Sequence, residues 1–279
     1  LISKEGSDIF DSNTDSSEDD RIEHGQSEDE EALKIGKLES DVVPYKKPEK
    51  EEGKEAAPTV GEEANPEATI GQQVWMTKNL TVATFRNGDP IPQAKTDEEW
   101  VKAGENQQPA WCYYDNDILN DDIYGKLYNY HALVGDTIPV KKYIRNDQNI
   151  ILDTLYYDSF PCKICPPGWK IPYEEDWISL INYLGNANTA GGKMKDTSSL
   201  YWKTPNLNAT NESGFAGLPG GYRSFDGTFL SIGSLGYWWS STESITAFAW
   251  NRWLFYSNGS VNSFYANKGS GLSVRCLRD

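Results

Sequence analysis

The sequence predicts an α+β domain over residues 69–279, preceded by a disordered acidic tail over residues 1–68. The first observation behind this is charge: residues 1–68 contain 8 Lys and Arg against 21 Asp and Glu, whereas the remainder contains 18 against 21. The second is one clear amphipathic helix near the middle of the remainder. The third is the series of short aromatic runs after that helix, separated by glycines as strands are separated by turns.

The tail has too few apolar residues to fold by itself. Its only aromatic residues are Phe10 and Tyr45, so it cannot bury enough surface to offset the entropy of ordering. From Pro44 to Pro66 the composition shifts to Pro, Lys, Glu and Ala, which favours an extended spacer. No cluster of Lys and Arg is present, and this argues against nucleic acid or an anionic membrane as a partner.

The remaining 211 residues are enough for one large domain with its own core. No run of about 18 apolar residues occurs, so the sequence predicts no transmembrane helix. Because the chain begins at Leu1 without an initiator Met, we expect a processed or truncated product. A lipid anchor upstream of residue 1 is part of that expectation.

The first half of the domain is predicted to contain short strands and one capped helix. Strands are predicted at Ile70–Met76, Leu80–Phe85 and Ala110–Tyr114. Thr96 and Glu99 form a capping-box pattern at the start of a helix. The stretch from Tyr124 to Val134 is ambiguous, and helix is favoured.

The second half is predicted as one helix followed by strands. Pro172 to Leu184 forms the helix, because Trp177 begins an apolar face spaced at i, i+3, i+4 and i+7. The strands that follow are predicted at Phe229–Ile232, Tyr237–Ser241, Ala247–Tyr256, Val261–Tyr265 and Leu272–Leu277. Residues 135–161 are expected to form a surface insertion with a local hairpin.

The domain contains four cysteines, Cys112, Cys162, Cys165 and Cys276. An even number allows two disulfides in three connectivities. The close pair Cys162 and Cys165 also fits zinc or redox chemistry, but no second ligand pair is present and Pro166 follows where a redox helix should begin. Disulfides are therefore the favoured interpretation, without a metal.

Several motifs occur in the order typical of one family. They are Ile70-Gly71-Gln72-Gln73-Val74-Trp75-Met76, Tyr124-Gly125-Lys126-Leu127-Tyr128-Asn129-Tyr130, Cys165-Pro166-Pro167-Gly168-Trp169, Ala190-Gly191-Gly192-Lys193-Met194-Lys195, Leu218-Pro219-Gly220-Gly221-Tyr222-Arg223 and Tyr237-Trp238-Trp239-Ser240-Ser241. Residues 70–279 closely resemble the Fibrobacter succinogenes major paralogous domain, a family of secreted bacterial domains. Only residues 135–161 depart from it, by their length.

The resemblance implies a C-type-lectin-like fold with two short helices on twisted antiparallel sheets and with the two ends of the domain close together. It also implies a disulfide between Cys165 and Cys276, which leaves Cys112 and Cys162 as the default second pair.

The expected ligand site lies in the loops between Asn206 and Trp239, where glycines let the backbone shape a pocket. The candidate ligand-binding residues are Asn206, Asn211, Glu212, Tyr222, Arg223, Phe225, Asp226 and Trp238. Each also has a structural interpretation, in the core for Trp238 and in loop hydrogen bonding for Asn211. Of Trp238 and Trp239, at most one should be open to solvent, because adjacent strand residues face opposite sides. His131 is interpreted as a structural residue.

Three classes of function remain. The favoured class is a secreted or surface-displayed bacterial binding or adhesion module that recognises a glycan or a protein without catalysis. Calcium-dependent sugar binding is disfavoured, because Thr204-Pro205-Asn206 lacks the acidic ligand that such motifs supply. The second class is a structural subunit of a surface appendage or matrix.

The third class is an enzyme similar to the formylglycine-generating sulfatase-modifying oxidases. Pro172-Tyr173-Glu174-Glu175-Asp176-Trp177 resembles a helix start in that family. The chain has no Cys-x4-Cys pair such as those enzymes use, and this argues against the class.

Overall fold

The computed structural model describes residues 66–134 and 164–279 in full and the backbone of residues 138–145 and 151–159. The helices are α1 Asp97–Glu105, α2 Asp121–Tyr124, α3 Tyr130–Val134, α4 Glu174–Tyr183 and α5 Ala187–Met194. The strands are β1 Glu67–Ile70, β2 Gln73–Met76, β3 Trp111–Cys112, β4 Leu127–Tyr128, β5 Ile138–Arg145, β6 Ile151–Ser159, β7 Trp169–Lys170, β8 Gly220–Arg223, β9 Phe229–Ile232, β10 Leu235–Ile245, β11 Phe248–Phe255, β12 Val261–Asn267 and β13 Leu277–Arg278. The mixture of helices and antiparallel sheets confirms the α+β class. The predicted tail, apart from residues 66–68, lies outside the described residues.

A four-stranded sheet in the order β1-β2-β13-β7 brings the two ends of the domain together. Leu277 pairs with Trp75 on one side and with Lys170 on the other. Arg278 also forms an ion pair with Glu67 across the edge of this sheet. The expected closeness of the two ends is therefore confirmed.

A five-stranded sheet in the order β12-β11-β10-β8-β9 forms the larger part of the domain. Strands β10, β11 and β12 pair antiparallel, while β8 meets β10 in parallel at Gly221 and Gly236. The register of β10 against β11 shifts twice, between Trp239 and Glu243 and between Glu243 and Ile245. Such bulges bend a strand and redirect its side chains.

Both faces of β10 are buried in the core. Trp238 packs with Trp75, Trp177 and Phe215, whereas Trp239 belongs to the cluster around Tyr130. Both indoles are 0 % exposed. Adjacent strand residues face opposite sides, so this one dipeptide joins two separate core clusters.

The two helices predicted from local signals are confirmed. The side chain of Thr96 accepts a hydrogen bond from the backbone N–H of Glu99, and the Glu99 carboxylate accepts one from the N–H of Thr96, so the capping box of α1 is complete. Helix α4 buries Trp177, Leu180 and Ile181 on one face.

Two predicted strands are wrong. Ile70–Met76 is a hairpin rather than one strand, because Gly71 turns the chain with a φ of 64°. Leu80–Phe85 forms no strand. Two of its carbonyl groups are taken by side chains: Lys126 donates to the carbonyl of Thr81, and the Tyr128 hydroxyl donates to that of Val82 at 2.6 Å. The carbonyls of Leu80 and Ala83 accept from the backbone N–H groups of Lys126 and Ile91.

The ambiguous stretch from Tyr124 to Val134 is only partly helical. It contains β4 and α3, which are joined by Asn129. The side-chain oxygen of Asn129 accepts hydrogen bonds from the backbone N–H groups of Ala110 and Ala132, each at 3.0 Å. Asn129 therefore links the start of α3 to the backbone just before β3.

The hairpin expected within residues 135–161 is confirmed in the backbone, where Ile138 pairs with Ser159 and Arg145 with Ile151. Two apolar runs suggested this hairpin, Ile150–Leu152 and Leu155–Tyr157. Residues 151–152 and 155–157 all lie on β6, so the two runs are not on opposite strands.

The predicted strand Leu272–Leu277 is also shorter than expected. Ser273 makes a single bridge to Trp238 before β13 begins at Leu277.

Cys165 and Cys276 form a disulfide with a Cα–Cα distance of 6.1 Å. The default second pair is not formed. Among the described residues Cys112 is a free, buried thiol, packed beside Ala94 and Trp100; Cys162 lies outside the described residues. Within the described ranges, no helix is both long and apolar enough to cross a membrane.

Candidate functional site

A groove of about 640 Å³ lies where five segments of the domain meet. The end of α1 contributes Glu105 and Gln107, and α3 contributes Tyr130 and His131. The remaining walls come from the turn after β8, the β10–β11 hairpin and the end of β12. The residues of these three segments are Phe225, Asp226, Glu243, Thr246, Ala247, Asn267, Lys268 and Gly269.

Arg223 fixes the beginning of α1. Its side chain is fully buried, and its guanidinium lies between the rings of Trp100 and Phe229. It donates to the carboxylate of Asp97 at 2.7 Å, to the carbonyl of Ala94 at 3.2 Å and to its own turn at Gly227. The turn that carries Phe225 and Asp226 is thereby held against the start of α1.

The end of α1 is fixed by two glycines. A Cβ built on Gly104 would lie 3.2 Å from the Cα of Gly269, and one built on Gly269 would lie 3.5 Å from the Cβ of Phe225. The approach of the two backbones leaves little room for a side chain at position 104 and therefore favours glycine there. Glu105, Lys268 and Asp226 each adjoin one of these three residues in the chain, and all three line the groove.

Helix α3 forms the opposite wall. The Tyr130 hydroxyl donates to the carbonyl of Ser241 at 2.6 Å, and the Tyr130 backbone N–H donates to the carbonyl of Lys268 at 2.9 Å. Burial, with a further contribution from the Lys268 ammonium, lowers the pKa of His131 to about 4. His131 is therefore neutral at pH 7 and offers one donor and one acceptor.

The described residues that line the groove carry three carboxylates and one ammonium. Lys268 lies 2.8 Å from Glu243 and 5.3 Å from the ring centroid of Tyr130. Burial acts to raise the pKa of Asp226, but hydrogen bonds from Thr228 and Ser224 outweigh it and lower that pKa. Glu105 lies exposed at the end of α1.

Two of the eight predicted site residues line the groove, Phe225 and Asp226. Phe225 is 56 % exposed. Two others were predicted to bind a ligand, but the structure buries them in the interior of the domain. Arg223 is buried by the contacts given above, and Trp238 is 0 % exposed with its indole N–H donating to the side chain of Asn79 at 2.8 Å.

The other four predicted residues are not among those that line the groove. Tyr222 packs edge-on against the ring of Tyr237. Asn206 and Asn211 hold loop backbone, through the carbonyl of Asp196 and the N–H of Ala216 respectively, each at 2.9 Å. Glu212 is exposed, with its carboxylate 3.6 Å from the Lys193 ammonium.

The remaining polar groups of the groove were missed by the sequence analysis. They are Glu105, Gln107, Tyr130, His131, Glu243, Thr246, Asn267 and Lys268. His131 was interpreted as purely structural, yet it lies half-buried in the wall. Within the described parts of the chain, no group of three or more His, Cys, Asp and Glu is placed to hold a metal ion.

Comparison with protein families matches residues 68–278 to the Fibrobacter succinogenes major domain. Comparisons with curated proteins and with solved structures found no match. The family match spans 211 of the 279 residues, from β1 to β13. The chain therefore belongs to the Fibrobacter succinogenes major domain family.

Proposed function

We propose that this chain is a surface-displayed bacterial binding module that recognises a glycan in the groove without catalysis. The observation that carries the proposal is the combination of an exposed ring, Phe225, with convergent hydrogen-bonding groups in a concave site of about 640 Å³. A ring that stacks on a sugar and polar groups that bind hydroxyls are the two elements such recognition needs. Asp226 and His131 supply polar groups on opposite walls.

The proposal includes a C-type-lectin-like fold. Three features support it: the closure of both ends in one sheet, the two consecutive helices α4 and α5, and the disulfide from the segment before α4 to the segment before β13. The same disulfide supports export, because such bonds persist in oxidising compartments.

The state of the described nucleophiles supports binding rather than catalysis. Burial raises the pKa of the Cys112 thiol to about 12, so it stays protonated and unreactive. Cys165 and Cys276 are joined in the disulfide. His131, with its pKa lowered to about 4, is a weak base at neutral pH.

The test is retention of the full chain on a panel of immobilised neutral polysaccharides. Replacing Phe225 by Ala removes the exposed ring, and we expect retention to fall about two- to tenfold, since stacking of one ring contributes on the order of 0.5–1.5 kcal/mol. The matched control is Ile118→Ala, which removes a side chain that is 65 % exposed and outside the groove. The control should retain like the parent.

Failure of the parent chain to be retained by any polysaccharide would contradict the proposal. Concentration-dependent self-association without retention would instead favour a structural subunit. Equal loss in both variants would show that retention depends on general hydrophobicity and not on the groove.

A further inference from the structure

The described residues that line the groove carry more carboxylates than ammonium groups. Among these described residues, the one ammonium is that of Lys268, which is held against the Glu243 carboxylate at 2.8 Å and has a side chain only 11 % exposed. Lys268 and Glu243 therefore neutralise each other. Glu105 and Asp226 remain as two further carboxylates, and the neutral His131 does not offset them.

The two remaining carboxylates line the same groove. Glu105 follows Gly104 and Asp226 follows Phe225, and a Cβ built on Gly269 would lie 3.4 Å from the Cα of Gly104 and 3.5 Å from the Cβ of Phe225. Glu105 and Asp226 are both exposed, so each can reach a bound molecule. Two like charges that converge on one concave site favour a cation and disfavour an anion.

From this geometry we propose that the groove selects a glycan that bears a protonated primary amine, as in a deacetylated amino sugar, with Glu105 and Asp226 as the recognising carboxylates. Phe225 stacks on the sugar ring, and each carboxylate accepts a charge-assisted hydrogen bond from the ammonium. Uronic acids are excluded because their carboxylates meet like charges. The inference rests on the proposed function and adds the class of sugar.

The experiment uses three hexasaccharides with the same β-1,4 linkage, built from glucosamine, glucose and glucuronic acid. Each is titrated calorimetrically into the full chain at low salt and at pH 6, where the amines are protonated. We expect the glucosamine oligomer to bind about tenfold more tightly than the glucose oligomer. The glucuronic acid oligomer should not bind. Added salt should reduce the difference, because charge–charge attraction is screened.

Two variants locate the preference. Glu105→Gln combined with Asp226→Asn removes both charges and leaves an amide oxygen at position 226 to accept from the N–H of Thr228, which the Asp226 carboxylate now does at 3.0 Å. The amine preference should then fall to within about twofold. The matched control is Glu98→Gln, which removes one carboxylate from the first turn of α1, outside the groove. It should leave the preference unchanged and so exclude general attraction to an acidic chain.

Each other outcome has a distinct meaning. Equal binding of the glucosamine and glucose oligomers overturns the inference and leaves the proposed function intact. Tight binding of the glucuronic acid oligomer also overturns the inference and leaves the proposed function intact. Absence of binding by all three overturns both. A lysine hexapeptide that binds as tightly as the glucosamine oligomer would show that the groove recognises amines in peptides, and would overturn the assignment of a sugar.

Discussion

Single buried cations hold much of this domain together. Arg275 is 1 % exposed and donates to the side chain of Asn79 and to the backbone carbonyls of Met76 and Phe215. Lys195 is fully buried and donates to three backbone carbonyls from two segments, Leu207 in one and Phe255 and Asn258 in the other. A buried charge is costly unless it is fully hydrogen-bonded, and both residues meet that condition with carbonyl oxygens.

Lys195 gives the sharpest prediction at the scale of one residue. Its ammonium binds the carbonyls of Leu207, Phe255 and Asn258 at 2.7, 3.1 and 2.8 Å. Lys195→Met keeps the apolar stem but leaves these carbonyls without their donor, so we expect a loss of about 2–4 kcal/mol in the free energy of unfolding. Urea denaturation measures it.

The matched control for Lys195 lies two residues earlier. Lys193 is partly exposed, and its ammonium is 3.6 Å from the Glu212 carboxylate. Lys193→Met should cost less than about 1 kcal/mol, as exposed ion pairs do. Equal effects of the two substitutions would contradict the assigned role of Lys195.

At the scale of elements, α1 matters most because it forms one wall of the groove. It is attached at its start by Arg223, in its middle by Trp100, whose indole N–H donates to the carbonyl of Ser224 at 3.1 Å, and at its end by Gly104. Three attachments in nine residues keep Glu105 in place in the wall of the groove.

Arg223→Met tests this attachment. The guanidinium bonds to Ala94 and Gly227 and its stacking on Trp100 would be lost, so we expect a loss of about 3 kcal/mol in the free energy of unfolding. Asp97→Asn is the comparison, and it should cost less than about 1 kcal/mol, because the Asp97 side chain is 67 % exposed. Thermal unfolding followed by circular dichroism would measure both. A larger effect of Asp97→Asn would show that the ion pair itself, rather than the buried contacts, holds the helix.

Elements stabilised by neighbours in the sequence could be predicted, whereas a segment stabilised by residues far along the chain could not. The capping box of α1 and the apolar face of α4 are formed by neighbours in sequence, and both helices are confirmed. Leu80–Phe85 was wrong because the groups that bind the backbone of its first half, residues 80–82, come from Lys126, Tyr128 and Val274, which are 45 to 194 residues away. Alternating hydrophobicity carries no information about such partners.

The groove shows the same limit. Phe225 and Asp226 were predicted, because a turn rich in glycine with an exposed ring is visible in the sequence. Glu105, His131 and Lys268 were missed, because they come together only when Gly104 meets Gly269 and Tyr130 binds the backbone of Lys268. Arg223 and Trp238 were assigned to the site because residue type does not reveal burial.

At the scale of the whole molecule, the disulfide closes a loop of 111 residues that contains α4, α5 and the strands from β7 to β12. Cross-linking a loop of this length contributes about 4–5 kcal/mol by restricting the unfolded chain. Guanidinium unfolding of the double variant Cys165→Ala, Cys276→Ala should show a loss of that size.

The control for the disulfide variant is Cys112→Ala. It removes a free buried thiol and should cost only about 1 kcal/mol, from the small cavity it leaves. A loss below about 1 kcal/mol in the double variant would mean that the unfolded chain is already compact without the bond.

The pairing of both ends in one small sheet has a mechanical consequence. The backbone N–H of Thr77 donates to the carbonyl of Pro66, and that of Asp279 donates to the carbonyl of Gly168. Tension applied between residues 66 and 279 would therefore pass through β1, β2, β13 and β7 and would load their hydrogen bonds first. None of these strands lines the groove, so a pulled domain would keep the groove undistorted until the hydrogen bonds of this sheet break.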